Sequence, residues 1–272
     1  MNKLGIRAHD VGRFDAETLA KQVRDYGFEG VQLVFKKALL ESVDFRHMDD
    51  IKNAFVKPKI MMLGAYFNPV HPDVGVVQEG IAYFKKHLEM ANSLDADYVG
   101  SETGSLMGSP WGYVKENHSS RTLDKVIRVF KDLADHAKQH HAMIAIEGAY
   151  AHVAYDPLQI RKILDVVGSR HLKVTVDLFN YLHIGNYQNR MLIFDDCFKY
   201  LKNEIVIFHL KDFIVEDETL KQVGLGQGLM DYETIIARIK KETPDAHLIF
   251  EGVTGHDIEA SMAYIRDLLE RN

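Results

Sequence analysis

From Leu4 to Glu251 the chain alternates short apolar runs, rich in β-branched residues, with longer stretches whose apolar positions recur every three to four residues. The short runs predict eight buried strands: Leu4 to His9, Val31 to Phe35, Ile60 to Tyr66, Asp97 to Glu102, Met143 to Glu147, Lys173 to Asp177, Ile205 to His209 and His247 to Glu251. The longer stretches predict helices. One opens on a cap at Asp15 and stops at Gly27; others span Gln78 to Leu94, Arg121 to His140, Asp156 to Val167, Arg190 to Lys202, Asp231 to Lys241 and Asp257 to Glu270, with weaker periodicity at Phe45 to Phe55. Strands that alternate with helices over short connections pair in parallel, and eight such units make an α/β fold, a single (β/α)8 TIM barrel occupying residues 1–272 as one domain. An open doubly wound sheet would need a Gly-rich phosphate turn after its first strand, which His9 to Phe14 does not supply. Two connections after strands are long, Thr103 to Asn117 and Phe213 to Met230, and connections on that side of a barrel are the active-site loops.

The strand ends carry the candidate chemistry. Alternate residues of a barrel strand face inward, so Glu147 in MIAIE shares the inward face with Ala145 and Met143. The same count turns Asp177, His209 and Glu251 inward, each closing its strand, at separations of 30, 32 and 42 residues. Neighbouring strands therefore deliver three carboxylates and an imidazole to one side of the mouth, a cluster that repels itself unless a cation joins it. Oxygen-rich ligation with one imidazole suits Mn²⁺, which we favour, or Mg²⁺, Co²⁺ or Zn²⁺. Such an ion can grip the carbonyl and hydroxyl oxygens of an α-hydroxy ketone and stabilise the enediolate left when the proton between them departs. Glu147 and Glu251, on opposite flanks of the set, are the candidate base and acid.

Composition narrows the partners. Hydrophobic residues are 46% of the 272 and charged residues 26%, ordinary for a globular protein, and the net charge of −6 comes without a basic stripe. Nucleic acid is thus an unfavoured partner. The lone Cys197 forms no intrachain disulfide, and neither an apolar signal core nor a membrane-length run is visible, so the expected location is the cytoplasm, away from the membrane.

The segments IAIEG around Glu147, VTVD at Asp177, FHLKDF around His209, GLGQGLMDY from Gly224 to Tyr232 and LIFEG around Glu251 resemble the xylose isomerase-like TIM barrels. That group includes sugar phosphate isomerases and epimerases, ketose 3-epimerases, inosose dehydratases and AP endonucleases. The resemblance implies that Glu147, Asp177, His209 and Glu251 ligate a metal, with Glu147 and Glu251 also moving the proton. It also implies a metal-dependent sugar or sugar-phosphate isomerase or epimerase, with an inosose dehydratase-like lyase as the alternative and a dimer or tetramer as the assembly. Three positions depart from common family patterns: Asn180 stands where many members have His, Val215 where ketose 3-epimerases have Arg, and Gln227 where the usual GxGEG has Glu. With no histidine between Lys211 and Asp231, a three-metal AP endonuclease site is disfavoured, as is a non-catalytic sugar-binding barrel that nonetheless keeps every ligand. Candidate substrate-binding residues are His9, Glu102, Trp111, Asn180 and Lys211, with Asn68, His71 and His183 behind them.

Overall fold

The computed structural model describes residues 2–41 and 48–271. Its strands are β1 (Leu4–Arg7), β2 (Gly30–Leu33), β3 (Lys59–Gly64), β4 (Tyr98–Glu102), β5 (Ile144–Glu147), β6 (Leu172–Asp177), β7 (Ile205–Leu210), β8 (Asp212–Glu216), β9 (Thr219–Val223) and β10 (His247–Phe250). All but β8 and β9 pair in parallel and close into a barrel in the order β1-β10-β7-β6-β5-β4-β3-β2. The helices are α1 (Ala8–Val11), α2 (Ala16–Asp25), α3 (Phe35–Ala38), α4 (Met48–Ala54), α5 (Val74–Ala91), α6 (Ser120–Gln139), α7 (Pro157–Val167), α8 (Arg190–Leu201), α9 (Tyr232–Glu242) and α10 (Asp257–Glu270). The (β/α)8 barrel expected from the alternation is the fold observed. Among the described residues no helix is long and apolar enough to cross a membrane.

Local signals explain the boundaries. Asp15, Asp156 and Asp231 are N-caps whose carboxylates accept from the backbone N–H of Thr18, Gln159 and Thr234, satisfying donors that the first helical turn leaves free. Gly168 ends α7 in the left-handed conformation at φ 62°. The start of the predicted helix at Phe45 to Phe55 lies outside the described residues, and α4 covers Met48–Ala54.

Two expectations are corrected. The first strand stops at Arg7, and His9 lies in the single turn α1 instead of ending the strand. The connection from Phe213 to Met230 is largely an antiparallel hairpin of β8 and β9, paired from Asp212 opposite Val223 to Glu216 opposite Thr219. Its two-residue turn is Asp217-Glu218, both with positive φ of 48° and 56°; two-residue hairpin turns ordinarily advertise this conformation with Gly or Asn, so the sequence carried no hairpin signal.

Apolar side chains fill two layers. The outer one lies between strands and helices; the inner one, inside the barrel, contains Met61, Met62, Ala145, Ile207 and Ile249. Glycine makes room for these methionines: a Cβ on Gly5 would lie 2.7 Å from the Met61 sulfur, and one on Gly30 2.5 Å from the Met61 methyl carbon. The packed interior is the floor on which the mouth residues stand.

Candidate metal and active site

Three inner-layer residues, Ala145, Ile207 and Ile249, each precede a mouth residue by two positions, so the two-residue period carries Glu147, His209 and Glu251 onto the same inward face. Thr175, fully buried, stands in that relation to Asp177. Register then brings neighbours level: Asp177 pairs with His209 between β6 and β7, and Glu102 with Glu147 between β4 and β5. Glu251 lies just past β10, its backbone N–H donating to the Leu210 carbonyl at 3.2 Å. The glycines after the two glutamates serve different ends. Gly252 takes φ 73°, which sends the chain sharply away and points its N–H at Asp10 Oδ2, 2.6 Å distant. At Gly148 the constraint is space, because a Cβ there would meet the Tyr181 hydroxyl at 2.5 Å.

His209 Nδ1 faces all three carboxylates, at 3.2 Å from Glu147 Oε1, 3.0 Å from Glu251 Oε2 and 3.8 Å from Asp177 Oδ2. Lys211 enters the same space, its ammonium 2.8 Å from Asp177 Oδ2, 2.8 Å from Glu251 Oε1 and 3.1 Å from Asn180 Oδ1. Asn180 bridges the cluster, donating from Nδ2 to Glu147 Oε1 at 2.7 Å while its backbone N–H donates to Asp177 Oδ1 at 3.0 Å. Arg7 closes the far side: one guanidinium nitrogen donates to Glu251 Oε1 at 2.8 Å, and the others grip Asp10 at 2.7 and 2.9 Å.

Burial and charge compete over protonation. Burial would raise Glu251, but the charges of Lys211, His209 and Arg7 outweigh it and hold that carboxyl well below the usual range. Glu147 is raised by burial, against the attraction of His209. Burial opposes the charge on His209, yet the carboxylates of Glu147 and Glu251 push its pKa up to about 9. Glu102 is raised to about 8, by burial and then by Glu147 and Glu251. The pattern describes a pocket with surplus negative charge.

The remaining candidates are dispersed around this centre. His9 is partly buried and its pKa drops to about 4 through burial and the charge of Arg7. Trp111 does not meet the carboxylates directly; its ring lies edge-on to buried His152 at 5.6 Å, and His152 Nδ1 is 4.0 Å from Glu102 Oε2. The loop around Trp111 is tied down by Asn117, whose amide donates to Ser105 Oγ and to the carbonyls of Gly112 and Ala151. Asn68 is a tether as well, bonding Ser105 and Gly108, and His183 stacks on Tyr150 at 3.9 Å between ring centres. Gln227 donates to Asp257. Arg7 was missed as a site residue although LGIR, a buried strand ending in a charge, carries the signal that marked Glu251. Asp212 and Gln222 lacked a sequence signal: Asp212 accepts backbone N–H bonds from Phe213, Gly226, Gly228 and Met230, and the Gln222 amide donates to the Glu251 carbonyl.

The donors suit a divalent cation. Glu147, Asp177 and His209 each offer an atom within 4.8 Å of the others, all buried, and Glu251 adds an oxygen beside the same imidazole nitrogen. Glu251 Oε2 accepts no hydrogen bond, and Lys211 and Arg7 are the permanent cations set against the carboxylates of Asp10, Asp177 and Glu251. Residues that fit an ion in this way, at the C-terminal rim of a parallel barrel, define the chain as a (β/α)8 barrel with a candidate metal centre. A model of the xylose isomerase-like TIM barrel family matches residues 20–268, and the chain belongs to that family. No curated protein matches it by sequence. Among solved structures it is similar to a D-tagatose 3-epimerase-like protein, at 16% identity over 98% of this chain and 97% of that one with a TM-score of 0.78. It is also similar to the 3-keto-D-glucoside 4-epimerase YcjR from E. coli, at 12% identity over 98% and 100% of the chains with a TM-score of 0.75. The IOLI protein, solved with a zinc atom, is 18% identical over 98% of both chains with a TM-score of 0.75.

Proposed function

We propose that the protein is a divalent metal-dependent sugar or sugar-phosphate isomerase or epimerase that removes a proton next to a carbonyl. The observation that carries the reading is the order around the rim: Glu251, His209, Asp177 and Glu147 stand at the C-terminal ends of β10, β7, β6 and β5, which are successive barrel neighbours. Asp177 and His209 thus occupy the centre of the set and the two glutamates its flanks. Glu147, Asp177, His209 and Glu251 would hold a divalent cation, with Mn²⁺ favoured, which would supply positive charge beside the substrate carbonyl and acidify the neighbouring C–H. A substrate carbon above the centre is open to a carboxylate from either side, so one glutamate takes the proton and the other returns one to the opposite face. Asn180 fixes Glu147 and Arg7 fixes Glu251, which keeps both oxygens aimed inward. Glu102, His9 and the Trp111 loop surround the centre as sugar-hydroxyl and ring contacts. The epimerases among the structural relatives agree with this chemistry.

The test is hydrogen exchange. The Mn²⁺-loaded protein, incubated in D₂O with a panel of ketoses, ketose phosphates and inososes, is expected to place deuterium on the carbon beside the carbonyl of at least one of them. Glu147→Gln and Glu251→Gln should each slow exchange by roughly 10²- to 10⁴-fold. Exchange with loss of water would mark a lyase built on the same first step. Exchange at the wild-type rate in both variants would show that neither glutamate moves the proton.

A further inference from the structure

At the opposite end of the barrel, α5 and α6 bring a second group of ligand-type side chains together. Both helices run from the mouth toward the N-terminal ends of the strands, so their last turns lie at the barrel's floor. His136 and His140 are spaced by four residues at the C-terminal end of α6, which sets both imidazoles on one helix face, with ring centres 4.5 Å apart. Glu89, in the last turn of α5, reaches across, its Oε1 3.1 Å from His136 Nε2. One donor atom from each of the three lies within 4.8 Å of the other two. The helices are already cross-linked nearby by the ion pair of Lys85 with Asp132, at 2.8 Å, so the donors need no large movement to converge.

We propose that Glu89, His136 and His140 form a second metal site, selective for borderline transition ions of the Zn²⁺ class and separate from the centre at the mouth. Two imidazoles and one carboxylate are the donor set such ions take, and three protein ligands leave a position for water. The hard, oxygen-rich set at the mouth has the opposite bias. The negative end of the α6 dipole adds attraction for a cation. Placed on the floor of the barrel, remote from the mouth, the site is a staple between α5 and α6 and raises stability by binding only the folded chain.

Calorimetric titration of the full-length, chelator-treated protein with Zn²⁺ tests this. Wild type is expected to bind two equivalents, and the double variant His136→Gln, His140→Gln one, with circular dichroism and activity unchanged. Glu147→Gln combined with Asp177→Asn should retain one equivalent together with a Zn²⁺-dependent rise in Tm, and Glu89→Gln added to that pair should weaken the remaining binding by at least tenfold. Co²⁺ substitution in the same mouth-deficient protein should give the visible absorption of a nitrogen-and-oxygen site. Equal stoichiometry in wild type and the double histidine variant, or no Zn²⁺ binding once the mouth ligands are removed, would overturn the assignment. Because both histidines are only partly buried, at the seam between α5 and α6, the double variant is expected to fold, and Glu89→Gln gives an independent reading if it does not.

Discussion

Lys211→Met offers the sharpest check on how the mouth balances its charge. The side chain is 8% exposed, and its ammonium contacts Asp177, Glu251 and Asn180 at 2.8, 2.8 and 3.1 Å. Methionine keeps the length of the side chain and removes the charge, leaving two buried carboxylates without that partner. Removing one member of a buried ion pair costs about 3–5 kcal/mol, because the uncompensated charge stays desolvated. For a protein of this size that corresponds to a loss of roughly 10 °C in Tm. A divalent ion supplies the missing positive charge, so the deficit should be large in chelator and mostly recovered in saturating Mn²⁺. The assay is urea unfolding of wild type and variant, each with EDTA and with Mn²⁺, followed by circular dichroism. Titration of the folded proteins should also show tighter Mn²⁺ binding in the variant, since the lysine no longer competes for Asp177 and Glu251. A variant as stable as wild type in EDTA would refute the premise that Lys211 offsets the clustered carboxylates.

Asp212→Asn should destabilise the loop after β7, since the Oδ2 that accepts from Gly226 and Gly228 at 2.9 Å each would become a donor facing two donors; both bonds are only partly buried, so the loss stays at the low end of the range for stranded donors, about 1–2 kcal/mol in all, read by denaturant unfolding. His87 contributes an acid sensitivity of its own. Burial lowers its pKa to about 4, so the folded state keeps it neutral while the unfolded chain protonates near 6.5. The stability due to the neutral ring is therefore present above pH 6.5 and declines as pH falls toward 4, by about 3 kcal/mol across that window. His87→Phe, which preserves the stacking on Phe35, should flatten the pH dependence of unfolding over that range, and an unchanged slope would count against the assignment.

Much of the candidate site was legible because the barrel repeats one local rule. An apolar strand with a two-residue side-chain period that ends on a polar residue states which way that residue faces, whatever lies next to it, and Glu147, Asp177, His209 and Glu251 all obey it. Helix starts were equally local, as the caps at Asp15, Asp156 and Asp231 show. His9 was misplaced because the strand gave way to a helical turn two residues earlier than its apolar pattern suggested, and the β8–β9 hairpin was missed because acidic residues fill a turn that normally carries glycine or asparagine.

Sequence alone therefore determined the alternation, the barrel and the inward phase of the four strand ends, since each depends on neighbours within one or two turns of chain. Tertiary closure decided the company those ends keep. Arg7 meets Glu251 only because β1 closes the barrel against β10, and Lys211 reaches Asp177, Glu251 and Asn180 together only because β6, β7 and β10 lie side by side. Charge interactions depend on distance through space, and no spacing along the chain encodes a distance between residues that closure alone brings together.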